Sequence, residues 1–472
     1  MKNEILLSKS YNFEVIVNDG IGNKFAGKLQ LESDEIILIV MGERAQDSDF
    51  FNFECKEAIS CTDFRKNFLL IDLKLKSGGS RSIHRHPESI VFSEATYDVG
   101  YIFCSSNTIN HNNLFSRIAI HSDTISKWIG NTEKQQSLME SYYDNIKGNK
   151  PKDVDLIEFD TNINGIGNLF VAYDFSQYIL SSEFKAGVTF PPSLNLHLHE
   201  PGDIRTIKSV YDDLYSIISF LIGSDVNIEK ISISSMESHY HDNIYFYYPT
   251  EKHSKQPFNR LVLFPLSKNI RFDTIGLPSL PINIFNNFFN SAKKNNFKKY
   301  LKYKCMLNAE ERFLGYFRLL ESLTYCESCY LDDEILTKTI NRSKKILYNI
   351  FKDKKNVNSL LQRLKRVNAS KYNTEKCISI FFQKIPKEIT SNWELNIRDM
   401  KNICQLRNDI THANEYEISD DQLQKYEFFI EILLILALLS HLDVQFDNLV
   451  HIISRSRGYH LISPPVVTYT KS

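Results

Sequence analysis

Three side chains within Gln405–Asn414, QLRNDITHAN, have the types and spacing to move protons and hold a phosphate: Arg407, Asn408 and His412. Histidine exchanges its proton near neutral pH and so serves as a general acid or base. Arginine keeps its charge and grips phosphate oxygens through two N–H groups. Cutting RNA without a metal needs both functions. One group moves protons for the attacking 2′-OH and the leaving 5′-oxygen, while a fixed cation meets the charge of the phosphorane-like transition state. The plainer reading is a helix end capped and solvated by polar residues.

Spacing alone decides little, because Arg-x4-His occurs three times: Arg81–His86, Arg407–His412 and Arg455–His460. The first copy follows a Gly-Gly pair in a β-patterned region, and the third lies in a Gly- and Pro-bearing tail. Only the middle copy ends a helical pattern and has Asn directly after Arg. Met400, Ile403, Leu406 and Ile410 predict the buried stripe of that helix. Asn408 and His412 then share a face as i, i+4 neighbours, with the long Arg407 fork beside them. A helix end at Ala413–Asn414 would favour a protonated His412 by up to ~2 kcal/mol. One His and one Arg are thin equipment, so a second copy across a symmetric dimer is expected.

The elements that must position this trio follow from composition. The chain has 472 residues, long enough for two or three cores, with 42% hydrophobic and 24% charged residues, as in a soluble globular protein. A net charge of −1 hides a strong division. Residues 1–284 hold 27 Lys+Arg against 36 Asp+Glu, residues 285–412 hold 25 against 13, and residues 413–472 hold 4 against 8. The trio therefore closes a segment with a net charge of +12, the footprint of a surface that meets polyanions.

An α+β chain is predicted. Short runs such as YNFEVIV, KFAGKLQLES, EIILIVMGE, FLLIDLKLK and YDVGYIFCS give a β-rich N-terminal lobe over 1–130, sandwich- or barrel-like. Turns are expected at Asn18-Asp19-Gly20 and Ser77-Gly78-Gly79. A second β-rich part over 131–272 contains LIEFDTN, NLFVAYDF, GVTFPPSLNLHLHE, NIEKISISS and NIYFYYP, with one helix near Ile204–Leu221. It is either a second domain or an extension of the first sheet. Gly276, Pro278 and Pro281 mark a linker over 273–284. Beyond it, between 285 and 457, Gly315 and Pro386 are the only glycine and proline, so 285–472 is an all-α bundle. Its helices are expected near 283–303, 308–325, 333–352, 356–368, 374–384, 392–413 and 420–442. Phe313, Phe317, Leu320 and Leu323 form one apolar face, and Ser419 to Gln422 makes a capping box.

LRNDITHA on a helix of a basic C-terminal bundle resembles the Arg-polar-x3-His motif of the HEPN superfamily. A β-rich region before it resembles the layout of ApeA-type prokaryotic antiphage defence proteins, whose C-terminal domain is an Apea-like HEPN domain. The resemblance covers essentially the whole chain and rests more on the setting than on the short motif. It implies a metal-independent endoribonuclease toxin of abortive infection, leaving 2′,3′-cyclic phosphate and 5′-OH ends. The composite site would form at a HEPN–HEPN interface of a homodimer or higher oligomer. Arg407, Asn408 and His412 take the motif positions, and the N-terminal domain would sense a phage-derived trigger. Cellular RNA is the implied substrate, with unpaired tRNA loops the first candidates.

Other features carry weaker chemistry. Lys293, Lys294, Lys298 and Lys299 interleave with Phe297, Tyr300 and Tyr303, so bases could stack while lysines follow phosphates. The simpler reading buries the aromatics. Arg363, Lys365 and Arg366 form a similar basic cluster. His197-x-His199-Glu200 and His239-x-His241-Asp242 would place imidazoles in pairs on strand faces and define the alternative of a metal-dependent hydrolase. A non-catalytic RNA- or protein-binding module is the other alternative. Cys326-x2-Cys329 lacks a second pair for zinc. No Walker loop, dinucleotide fingerprint or G-x-S-x-G elbow is present, and no cofactor is expected. The apolar run Phe428–Leu442 is short for a bilayer and carries Glu431, so it reads as a core or interface helix and no membrane is expected. Lacking a secretion signal or a paired cysteine framework, the chain is expected in a reducing cytoplasm with free thiols.

Overall fold

The computed structural model describes residues 4–463 except 19–22, 45–55, 86–87, 131, 147–154, 181–184, 236–243, 250–262, 265, 267–278, 327–328 and 370–372. The chain divides into two compact units, Met1–Phe297 and Lys298–Ser472. Half of the expected linker over 273–284, residues 273–278, lies outside the described residues.

The N-terminal unit is built on β1 (Tyr11–Asn18), β2 (Lys24–Leu31), β3 (Ile36–Arg44), β4 (Ala58–Thr62), β5 (Asn67–Arg85) and β6 (Glu88–Ser105). All pair antiparallel, and β3 returns to β6, so these six close a ring in the order β1-β2-β3-β6-β5-β4. Alternation positions the inner face: Val15, Val17, Leu29, Leu31, Leu38 and Val40 are buried while their neighbours are open. The structure corrects the expected turn at Ser77-Gly78-Gly79. These residues lie inside β5, where Gly78 and Gly79 oppose Ala95 and Glu94, and a bulge between Leu75 and Ser77 absorbs the irregularity.

The sheet continues past residue 130. β6 pairs with β14 (Ile244–Tyr247), followed by β13 (Ile228–Ser235), β7 (Phe115–Ser122), β12 (Pro192–Gly202), β9 (Gly167–Tyr173) and β8 (Ile157–Ile163), making twelve strands in one ladder. The second β-rich part is thus an extension of the first sheet. β10 (Ser176–Leu180) and β11 (Lys185–Thr189) form a separate hairpin. The sequence alternation misses β7, an inner strand between β12 and β13 whose buried residues do not alternate.

Among the described residues the N-terminal unit also holds α1 (Asp123–Ile129), α2 (Glu133–Ile146) and α3 (Ile204–Ile222), and α1 and α3 pack on β7 and β12. Helix α3 is capped by Asp203, which accepts from Thr206 N at 2.8 Å, and stops at Gly223 in the left-handed region. The predicted helix over 283–303 is two, α4 (Asn283–Asn290) and α5 (Lys294–Lys304), because Ser291 turns extended.

The C-terminal unit continues with α6 (Ala309–Thr324), α7 (Asp333–Phe351), α8 (Lys354–Ala369), α9 (Thr374–Phe382), α10 (Lys387–Thr390), α11 (Met400–His412), α12 (Asp420–Ser440), α13 (Val450–Ile453) and α14 (Tyr459–Ile462). Ser419 caps α12 through Gln422 N. Helix α12 is buried from Tyr426 to Leu439 and packs along α6, so the apolar run is the core of this unit. No helix among the described residues is long and apolar enough to cross a membrane. The two buried acids of α12 are each satisfied. Glu427 receives two N–H groups of Arg312 at 2.7 and 3.0 Å, and Glu431 accepts from the Tyr300 hydroxyl at 2.9 Å. Burial and the Glu431 carboxylate hold the Tyr300 phenol well above its usual range. Helices α7 and α8 form an antiparallel hairpin around Ile340, Val357 and Leu361.

Candidate active site

Helix α11 starts from a 3₁₀ turn at Ile397–Asp399, where Asn396 and Asp399 form a reciprocal capping box. Met400, Ile403 and Leu406 are buried at 0, 0 and 6% exposure and Ile410 is half-buried, so the apolar stripe sits as its spacing predicts. The helix stops in a Schellman arrangement: Asn414 N donates to Asp409 O at 2.9 Å and Ala413 N to Ile410 O at 3.3 Å. Ala413 holds φ +53°, a left-handed position that glycine usually takes. A side-chain clasp supports it, with Asp409 accepting from both Gln405 and Asn414 at 3.0 Å.

Fixing the helix rotation fixes Arg407. Its Nη2 donates to Glu321 Oε2 on α6 at 2.7 Å and its Nη1 to Asn408 Oδ1 at 2.9 Å. The guanidinium also lies 5.4 Å from the centre of the buried Phe317 ring, a cation–π contact. Glu321 is itself held, since its Oε1 accepts from the Thr374 hydroxyl at 2.6 Å. Both charged partners are mostly covered, with side chains 25% and 17% exposed. A cavity of about 370 Å³ opens here, lined by Phe317, Tyr330, Asn373, Thr374, Glu375, Cys404, Arg407 and Asn408. Burial pushes the Cys404 thiol up to about 12, so it is a neutral wall residue.

The structure brings Arg407 and Asn408 together at this cavity. His412 does not line it and stands exposed one turn beyond Asn408, as the last helical residue. Glu321 and Thr374 were not singled out in the sequence, and Phe317 was read there only as part of an apolar helix face. Glu321 is 86 positions from Arg407, and its one local signal is an acid placed four residues after Phe317 beside an apolar stripe.

The remaining candidates separate. Phe297 and Tyr300 are core residues at 0 and 2% exposure, which leaves them no face for a base. Lys294 pairs with Asp213 at 2.8 Å, while Lys293 and Lys299 are exposed and Lys298 is half-buried. Arg363 and Arg366 are exposed on α8, with Lys365 half-buried between them. His197 packs edge-on against Phe170, and its burial lowers its proton affinity. His239, His241 and Asp242 lie outside the described residues, as does His86. Among the described residues no three His, Cys, Asp or Glu side chains gather as a metal site. Arg455 is half-buried, and desolvation lowers its proton affinity.

Comparison with family models matches residues 10–275 to the ApeA N-terminal domain 1 and residues 314–447 to the Apea-like HEPN domain. Comparison with curated proteins and with solved structures returns no significant match. The first family match alone spans more than half of the chain, and the second encloses α11, its cavity and the exposed His412; the chain belongs to the ApeA-type proteins, with an ApeA N-terminal domain and a C-terminal Apea-like HEPN domain.

Proposed function

We propose that the HEPN domain is a metal-independent endoribonuclease in which Arg407 and His412 act on the scissile phosphate, Asn408 orients them, and the ApeA N-terminal domain governs when they do so. The observation that carries this reading is Arg407 itself. A guanidinium is held at the mouth of a cavity on a helix whose exposed last residue is a histidine, within the chain's basic segment. Arginine's fork suits a phosphorane-like centre, and an exposed imidazole is free to reach substrate. In the proposed reaction the 2′-oxygen loses its proton and attacks phosphorus, and the 5′-oxygen leaves as it gains a proton. The ends are a 2′,3′-cyclic phosphate and a 5′-OH. One imidazole per chain is suited to one of these transfers at a time, so a second copy of the domain would supply the other. The biological role is antiphage defence by abortive infection in the cytoplasm, with cellular RNA as substrate and tRNA loops as the first candidates. A phage-derived trigger would act at the N-terminal domain.

One observation favours a binding module instead. Both Arg407 Nη atoms already have acceptors, Glu321 and Asn408, within the chain. The two readings part on purified full-length protein incubated with total RNA in EDTA, with the new ends mapped. Cyclic-phosphate and 5′-OH ends support the nuclease. Retention of RNA with no cuts, in protein that has been activated by infection, supports the binding module, and cleavage that EDTA abolishes overturns the metal-independent chemistry.

A further inference from the structure

Cys326, two residues beyond α6, and Cys377, near the start of α9, bring their sulfurs to 3.1 Å although they lie 51 positions apart. We propose that these two thiols form a reversible disulfide that clasps the base of the α7–α8 hairpin and holds Arg407 in its paired form. The sulfurs need to close by only about 1 Å to reach disulfide length. Cys326 is the half-buried, reachable partner, whereas Cys377 is 5% exposed. The reaction is thiol–disulfide exchange with a small organic disulfide. The Cys326 thiolate attacks one sulfur of that disulfide and releases one thiol. The Cys377 sulfur then loses its proton, attacks Cys326 Sγ and releases the second thiol. Two protein thiols are oxidised and one small disulfide is reduced, so atoms and electrons balance. The hydrogen bond to Cys377 holds the Cys326 thiol above its usual range, so exchange is slow at neutral pH and quickens as pH rises.

Placement gives the bond its consequence. The chain leaves the bundle into α7 after Cys326 and returns from α8 before Cys377. The base between them is already pinned by Asn368, whose Oδ1 accepts from Leu331 N at 2.8 Å and whose Nδ2 donates to Leu331 O at 3.1 Å. Helices α6 and α9 carry Glu321 and Thr374, the pair that secures Arg407. A covalent tie between the end of α6 and the start of α9 keeps Glu321 against Thr374, and so keeps the guanidinium from phosphate. The effect on cleavage rests on the nuclease reading above, but formation of the bond does not.

The test treats the full chain with oxidised glutathione at pH 8.5 and maps disulfides under non-reducing conditions. A Cys326–Cys377 linked peptide is expected, absent in Cys326→Ser and reversed by dithiothreitol. Oxidised protein should cut RNA about tenfold more slowly than reduced protein, and Cys326→Ser should be indifferent to oxidant. A Cys326–Cys329 link, or a mixed glutathione adduct at Cys326 with Cys377 still alkylated after denaturation, overturns the proposal. If neither redox form cuts RNA while the linked peptide is present, the bond stands and the nuclease reading fails. Equal cutting by the two forms with the bond present overturns the hold on Arg407.

Discussion

Glu321→Gln is the sharpest perturbation of the arginine's surroundings. The substitution keeps the shape of the side chain and its Thr374 contact but removes the charge opposite Arg407 at 2.7 Å. A hydrogen bond between charged partners is worth about 1.5–3 kcal/mol and a neutral one about 0.5–1.5 kcal/mol. With both side chains partly open to water, a loss of about 1 kcal/mol is expected. That corresponds to a fall of about 2–4 °C in the melting temperature of the C-terminal unit. It also releases the guanidinium for phosphate by about fivefold. The assay is fluorescence polarisation with a 2′-O-methyl oligonucleotide, which binds but has no 2′-OH to attack. Glu388→Gln, an exposed carboxylate on α10, matches the change in net charge and should leave affinity unchanged. If Glu321→Gln binds no tighter than Glu388→Gln, or cuts RNA more slowly than the unaltered chain, Glu321 supports Arg407 rather than restraining it, and the latch reasoning fails.

Three further outcomes follow from particular residues. Gly315→Ala would gain about 1 kcal/mol in helix propensity, yet its new Cβ would lie 2.4 Å from the Tyr303 ring; a net loss of about 1–3 kcal/mol in a urea titration is expected. His121 sits 3.6 Å from Asp174, and burial with the Lys230 charge lowers its proton affinity in the fold. The unfolded chain therefore takes up this proton first as pH falls through the ordinary histidine range. Stability of the N-terminal unit should be full above that range and fall below it by up to about 1.4 kcal/mol per pH unit. His121→Gln should flatten that slope between pH 7.5 and 5.5 in denaturant titrations. His412→Ala should leave the melting temperature within about 1 °C, because the side chain is exposed and makes no core contact.

Local pattern carried far along this chain. Met400, Ile403 and Leu406 rotate α11 as their spacing requires, and the dearth of Gly and Pro after residue 285 marks the helical unit. Helix α3 runs from 204 to 222, one residue beyond its sequence pattern. What the pattern misses is what only distance in sequence creates. Gly78 and Gly79 read as a turn because a local reading cannot see the β6 partner that carries them through a strand. The β3–β6 closure joins residues 47 to 61 positions apart, and no periodicity announces it. At the site, Arg407 and Asn408 were legible as a motif, but Glu321 and Thr374 approach from 86 and 33 positions away with no spacing signature. The charge division between the segments was visible in the composition, whereas the pairing of Lys294 with Asp213 was not.

The central claim is that an imidazole and a guanidinium on one helix cleave phosphodiesters with no bound cation. The direct measurement is the single-turnover cleavage rate of a labelled RNA in EDTA by the unaltered chain, His412→Ala and Arg407→Ala, each checked for its melting temperature. The account predicts cleavage by the unaltered chain and a loss of about 10²–10⁴-fold in each folded variant. Undiminished cutting by folded His412→Ala would contradict it.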